Sequence, residues 1–255
     1  MLSLIDDTII SVMNRNTAQT RYRSPLIGCA RADNPGFLKL REVAGPGHLH
    51  PQDLLPGARS VVAFFLPFTA DLVRTHRRAP GISREWAVAY IETNHLISRI
   101  CETLTAELAQ AGIRAAWQKP THNFDKETLT SFWSHKHVAY LCGLGTFGLH
   151  HMLITRAGCA VRLGSLVLDA PLPVTPSPRE EYCLHRRGRN CAACVRLCPT
   201  GALRVDGFDR RRCYRQLLEV NDHFHDLGFS DVCGKCVLGP CALSVPRKPN
   251  QNGST

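Results

Sequence analysis

The stretch RNCAACVRLCPTGAL, residues 189–203, decides how the second half of this chain folds. An iron–sulfur ligand run of the form C-x2-C-x2-C-x3-C-P would put its second, third and fourth cysteines on Cys191, Cys194 and Cys198, with Pro199 following. The first position falls on Gly188, so the run is one thiolate short. A [4Fe–4S] cluster needs four thiolates converging on one point, and a more distant cysteine can close the shell. Cys183, upstream across the loop LHRRGRN, can take the place of the missing ligand.

Working outward, a second set follows: Cys213, then CGKCVLGPC, which contributes Cys233, Cys236 and Cys241. Eight cysteines suffice for two clusters. In two-cluster ferredoxins the last cysteine of each motif ligates the other cluster. Transferred here, that crossing gives one cluster on Cys183, Cys191, Cys194 and Cys241 and another on Cys198, Cys213, Cys233 and Cys236. The competing reading is zinc, because paired C-x2-C units also bind that metal. Against zinc stand the C-x2-C-x3-C-P order and two groups of four cysteines in one short segment. Cys29, Cys101 and Cys159 read as buried small apolar residues.

The remaining sequence frames this segment. The chain has 255 residues, 44% of them hydrophobic, enough for a real core. No apolar run approaches the roughly 20 residues that span a bilayer. The opening MLSLIDDTIISVMNRN has two aspartates and no basic lead, so it reads as an amphipathic helix and not as an export signal. The expectation is therefore a cytoplasmic protein without membrane attachment, in whose reducing surroundings twelve cysteines serve metal binding. The formal charge of +10 admits an anionic partner. Two bound clusters, each of roughly two negative charges, would lower it to about +6.

Eight of the twelve cysteines lie between 183 and 241, and the proline-rich DAPLPVTPSPREE at 169–181 precedes them. That composition shift predicts a boundary: residues 1–174, then 175–245, with 246–255 as a flexible polar tail. Before it, VVAFFL at 61–66 and VRLGSLVLDA at 161–170 read as strands, and 84–111 carries apolar residues at helical spacing up to Gly112. The pattern is a central sheet with helices. Next to a helical stretch, Gly143, Gly145 and Gly148 form a G-x-G-x-x-G, a weak nucleotide signal in that setting. The loop Gly143, Leu144, Gly145, Thr146, Phe147 and Gly148 is the candidate cofactor contact, where glycines would let backbone approach a flat group or make a positive-φ turn.

At this point the residues resemble a family. AYLCGLGTFGLHHMLITRAGCAVRLGSLVLDAPLP, followed by the cysteine sets, is similar to the epoxyqueuosine reductases and the related reductive dehalogenases, with the match running from about 134 to 241. The resemblance implies an α+β protein: a nitroreductase-like, cobalamin-binding domain followed by a ferredoxin-like domain with two [4Fe–4S] clusters. It implies a reductase that passes single electrons from an external ferredoxin or flavodoxin to a corrinoid, for reductive cleavage of a small-molecule or tRNA-linked substrate. Flavin is the other group such a domain would take, without a separate sequence signal.

Departures from the family pattern leave the catalytic residues unknown. The family's D-S-x-P-x-x-E-R stretch, whose aspartate is its proposed proton donor, is replaced by QKPTHNFDKETLTSFWSHKH, where Asp125 is only a positional stand-in. The last motif is C-x4-C. The chain reads as a short form without the family's C-terminal helical-repeat extension. His135, His137, His150 and His151 cluster near the loop as proton donors, cofactor neighbours or structural groups. The alternative function is a non-catalytic electron-transfer or cofactor-handling iron–sulfur protein.

Overall fold

The computed structural model describes residues 1–246. Along the chain come α1 (Leu2–Asn14), β1 (Leu26–Arg31), α2 (Gly36–Val43), α3 (Pro51–Leu54), β2 (Ser60–Pro67), α4 (Ala70–Arg78), α5 (Arg84–Gln110) and β3 (Ala115–Trp117). There follow β4 (Phe124–Asp125), β5 (Thr130–Ser131), α6 (His135–Leu141), β6 (Gly145–Phe147), β7 (Leu153–Thr155), β8 (Val161–Leu168), α7 (Ala193–Arg196) and α8 (Arg210–His223). Apart from Pro246, the expected tail at 246–255 lies outside the described residues. No helix among the described residues is long and apolar enough to cross a membrane.

The main sheet has the order β1-β2-β8-β3, and every neighbouring pair is antiparallel. The apolar run of β2 is continuous because both of its faces are covered. Val61, Ala63 and Phe65 pack with Phe37 and Leu40 of α2 and Val138 of α6. Val62, Phe64 and Leu66 pack on the other side with Ile5 and Ile9 of α1 and with Ile97, Ile100 and Leu104 of α5. Strand alternation thus sends successive side chains into two separate cores. Gly164 of β8 is glycine for a packing reason: a Cβ there would lie 2.2 Å from Phe64 Cζ. The long helix starts where Ser83 accepts from the Trp86 N–H, and it ends just before Gly112 at φ +74°.

The cysteine-rich segment has little regular structure of its own. Of its fourteen-residue helix α8 only Val220 is buried. It is fastened to the first half by a mixed core in which Phe68, Trp86, Ile154 and Ala160 meet Cys183, Val237, Leu238 and Ala242. Polar ties add to this. His76 Nε2 lies 2.7 Å from the Cys233 carbonyl, and the buried Lys235 Nζ donates to the carbonyls of His76 (2.6 Å) and Ala79 (2.7 Å). A buried ammonium is tolerable only with such acceptors. The proline-rich connection is extended and lies along β1, with Thr175 and Cys29 exchanging two hydrogen bonds.

Candidate functional site

A cavity of about 890 Å³ opens between α2, α6 and the start of α8. Its walls carry the aromatic side chains of Tyr140, Phe147 and Tyr214, the basic side chains of Lys39, Lys136, Arg186 and Arg210, and Glu181. Cys213 belongs to the same wall. Asp209 caps α8 by accepting from the Arg212 N–H, which presents Arg210 and Cys213 from the first turn.

Titratable groups at this cavity are shifted by burial. Burial first and nearby Arg210 second, partly opposed by Cys236 and Cys213, lower Lys136 to about 8, while its Nζ donates to the His151 carbonyl at 2.9 Å. His137 is pushed down to about 3, first by burial and then by Lys136; its ring packs on Phe147 at 4.9 Å and its Nδ1 meets Ser134 Oγ at 2.7 Å. His151, at φ +59°, stacks on Phe208 and is also lowered by burial. The four clustered histidines therefore separate. His137 and His151 line the cavity. His135 is buried between Ser165 Oγ (2.9 Å) and the Lys119 carbonyl (3.0 Å), and burial lowers it to about 4. His150 faces Cys241.

The glycine loop is shaped mainly by backbone packing. Gly143, at φ +75°, has the Thr175 carbonyl 2.6 Å from where a Cβ would sit, and Gly145 has the Ile154 carbonyl at 2.0 Å across the β6–β7 hairpin. Gly148 makes room for the His150 ring, 2.6 Å from its would-be Cβ. Leu144 is in the core under α6. Thr146 Oγ1 accepts from the Tyr182 N–H. Among the six loop residues, Phe147 is the one at the cavity. Asp125 is elsewhere: its Oδ1 accepts from the N–H groups of Glu127 and Thr128, and these hold the carboxylate below its usual range, the opposite of what a proton donor needs.

Seven of the eight cysteines, all but Cys191, lie within electrostatic reach of others of the set, in two adjoining neighbourhoods. Burial pushes Cys213 up to about 11, and Cys233 and Cys198 add to that; Cys236 is raised by burial and by Cys233, Cys213, Cys194 and Cys198. Cys233 is raised by burial and by Cys198. In the other neighbourhood burial lifts Cys194 to about 11, with Cys241 and Cys183 contributing. Cys191 stands half-buried just before α7. Cys198 is drawn down, against its burial, by the Leu203 N–H at 3.4 Å and by Thr200. Cys29 and Cys101 are simply buried, as expected. Cys159 is buried in the mixed core, as expected, and its sulfur also lies 3.7 Å from that of Cys241.

The geometry can be set beside known proteins. Epoxyqueuosine reductase of Salmonella typhimurium is 30% identical over 204 residues, which cover 77% of this chain and 50% of that protein. This chain is a relative of the epoxyqueuosine reductases. It spans about half the length of the curated relatives it matches. A solved epoxyqueuosine reductase with a tRNA-Tyr epoxyqueuosine-modified stem loop matches the fold with a TM-score of 0.51 at 19% identity, over 96% of this chain and 70% of that one. A catabolic reductive dehalogenase in complex with 3-bromo-4-hydroxybenzoic acid matches with a TM-score of 0.59 at 15% identity, over 93% and 32%. No protein-family profile matches the chain.

Sequence reading missed the cavity residues Lys39, Lys136, Arg210 and Tyr214. Each belongs to a helix whose charged face looks like ordinary solvated surface until the helices converge. Lys136, between His135 and His137 in SHKH, was the one with a local signal, an unusually dense run of titratable groups.

Proposed function

We propose that this epoxyqueuosine reductase relative is an iron–sulfur reductase. Cys183, Cys191, Cys194 and Cys241 hold one [4Fe–4S] cluster, Cys198, Cys213, Cys233 and Cys236 hold a second, and the 890 Å³ cavity takes a corrinoid together with the substrate's reacting end. The observation that carries this reading is Cys213, which belongs both to the second neighbourhood of thiols and to the cavity wall. The donor set fits: burial and neighbouring thiols raise Cys194, Cys213, Cys233 and Cys236, a conflict that metal relieves by replacing protons. The cavity is open to one side and its walls are aromatic with polar points, a lining suited to the face of a flat cofactor. Its open volume favours an enzyme over a carrier: Trp133 is packed in the core, His150 is turned to Cys241, and Phe147 stands in the wall without filling the space.

When bound, these groups supply single low-potential electrons and a metal centre able to cleave an otherwise inert C–O or C–halogen bond. The chain's own residues do the rest. Phe147, Tyr140 and Tyr214 give the cavity an aromatic wall against which a flat group can pack. Lys39, Arg186 and Arg210 give the cavity a positive field suited to a substrate with negative charge, such as a tRNA-linked one. Lys136 Nζ, lowered to about 8, is mostly protonated at neutral pH and is the acid we assign to deliver a proton to the cleaved substrate. Electrons enter from an external ferredoxin or flavodoxin. The polypeptide is read as a nitroreductase-like domain over 1–174 and a ferredoxin-like domain over 175–245.

The test is the absorbance spectrum and metal content of anaerobically prepared protein, followed by titration with cobalamin under reductant. Brown protein with two clusters' worth of iron, and a cobalt spectrum that changes on binding, are expected. Zinc in a colourless protein would overturn the clusters; a bound flavin with no cobalamin affinity would overturn the corrinoid.

A further inference from the structure

Cys159 and His150 converge on Cys241 from outside the eight-cysteine set. Their three ligand-type atoms lie within 4.8 Å of one another. The approach is built by glycine: Gly158, at φ +90°, would place a Cβ 2.2 Å from the Ala242 carbonyl, so only glycine lets this turn lie against the segment that carries Cys241. The Cys159 N–H then bonds the carbonyls of Cys241 (3.0 Å) and Ala242 (3.1 Å), and the Ala160 N–H bonds Ala242 (3.0 Å). This pairing sets the Cys159 sulfur 3.7 Å from the Cys241 sulfur, with the Val237 carbonyl at 3.4 Å as its other acceptor. Cys159 is almost wholly buried, and its single S–H is shared between these two acceptors, the Cys241 sulfur and the Val237 carbonyl.

His150 has a defined tautomer. Its Nδ1 accepts from the Met152 N–H at 3.1 Å, which leaves the ring proton on Nε2, and Nε2 is 3.6 Å from the Cys241 sulfur. The space for the ring is the space a side chain at Gly148 would fill. Two buried donors thus aim at one sulfur.

We propose that Cys159 and His150 are tuning residues for the cluster held by Cys183, Cys191, Cys194 and Cys241, donating hydrogen bonds to the Cys241 sulfur and raising that cluster's reduction potential. The inference rests on the cluster assignment above. Its physical reason is electrostatic: the one-electron-reduced cluster carries more negative charge on its sulfurs, so donors stabilise it more than the oxidised form. The cluster holding Cys213, at the cavity, has neither donor and serves as an internal control.

The experiment is an anaerobic redox titration of the full chain monitored by electron paramagnetic resonance, with iron analysis, for the unmodified protein, Cys159→Ala, Cys159→Ser and His150→Leu. Cys159→Ala and His150→Leu should each move one of the two midpoints downward and leave the other in place, with iron content unchanged. Cys159→Ser keeps a donor of nearly the same shape and should shift the same midpoint by a smaller amount. Two unmoved midpoints in iron-replete variants would overturn the tuning role while leaving the clusters standing. Loss of half the iron in Cys159→Ala or Cys159→Ser would make Cys159 a ligand and also overturn it. An unmodified protein without iron would remove the cluster assignment itself, and this inference with it.

Discussion

The two halves of this molecule are ordered by different forces. Strands β2 and β8 are buried on both faces, and their side chains feed two apolar cores. The segment from Cys183 to Cys241 contributes few large apolar side chains to any core, and its regular structure is confined to short helical turns and α8. What it buries instead is sulfur. Thiols crowded together and cut off from water favour their protonated forms, as Cys194, Cys213 and Cys236 do. The difference teaches where the proposed clusters would matter for order: the sheet has apolar cores of its own, whereas the cysteine-rich half would gain most from metal replacing those protons.

Removing iron is the strongest way to break the comparison. After chelation, hydrogen exchange should accelerate across 183–241 by orders of magnitude, while amides in β2, β8 and α5 keep their protection. Equal loss in both halves would show that the sheet depends on the metal too. Next in size is Phe64→Ala, which empties a site against Ile97 and the Gly164 backbone; urea denaturation should register a loss of about 3–5 kcal/mol. Gly145→Val forces a side chain onto the Ile154 carbonyl, and the overpacked β6–β7 hairpin should cost about 1–3 kcal/mol with the sheet core intact. A stable Gly145→Val protein that had lost cofactor binding alone would instead return that glycine to the cofactor surface.

The smallest effect concerns pH. His135 titrates near 4 when folded and near 6.5 when unfolded, so the unfolded chain takes up a proton first as pH falls. Its contribution to stability is present above about 6.5 and is lost between there and 4. Comparing urea midpoints at pH 7 and pH 5, His135→Gln should flatten the decline by about 1–2 kcal/mol. An unchanged slope would mean that the ring is hydrated and outside the rigid core.

Much of the candidate site was legible because its chemistry is local in sequence. C-x2-C spacing brings two thiols to one turn, so Cys191 with Cys194 and Cys233 with Cys236 could be read as pairs. Strands at 61–66 and 161–170 and the helix at 84–111 were also readable, since each carries enough consecutive apolar residues to declare its period. The loop Gly143–Gly148 was readable as special, but glycine does not say what comes close to it. Here it is largely protein backbone.

The sequence alone therefore determined the central strands, the long helix and the segregation of cysteines into the second half. These follow from periodicity and short-range spacing, which survive in one dimension. Only the tertiary structure decided that Cys213 enters the cavity wall, that Lys136 and Arg210 face each other's charge there, and that Cys159 and His150 end on Cys241. Cys159 and Cys241 are joined by no sequence pattern. They meet because one turn, freed of a Cβ at Gly158, packs on another, and contacts of that kind are set by the whole fold closing around them.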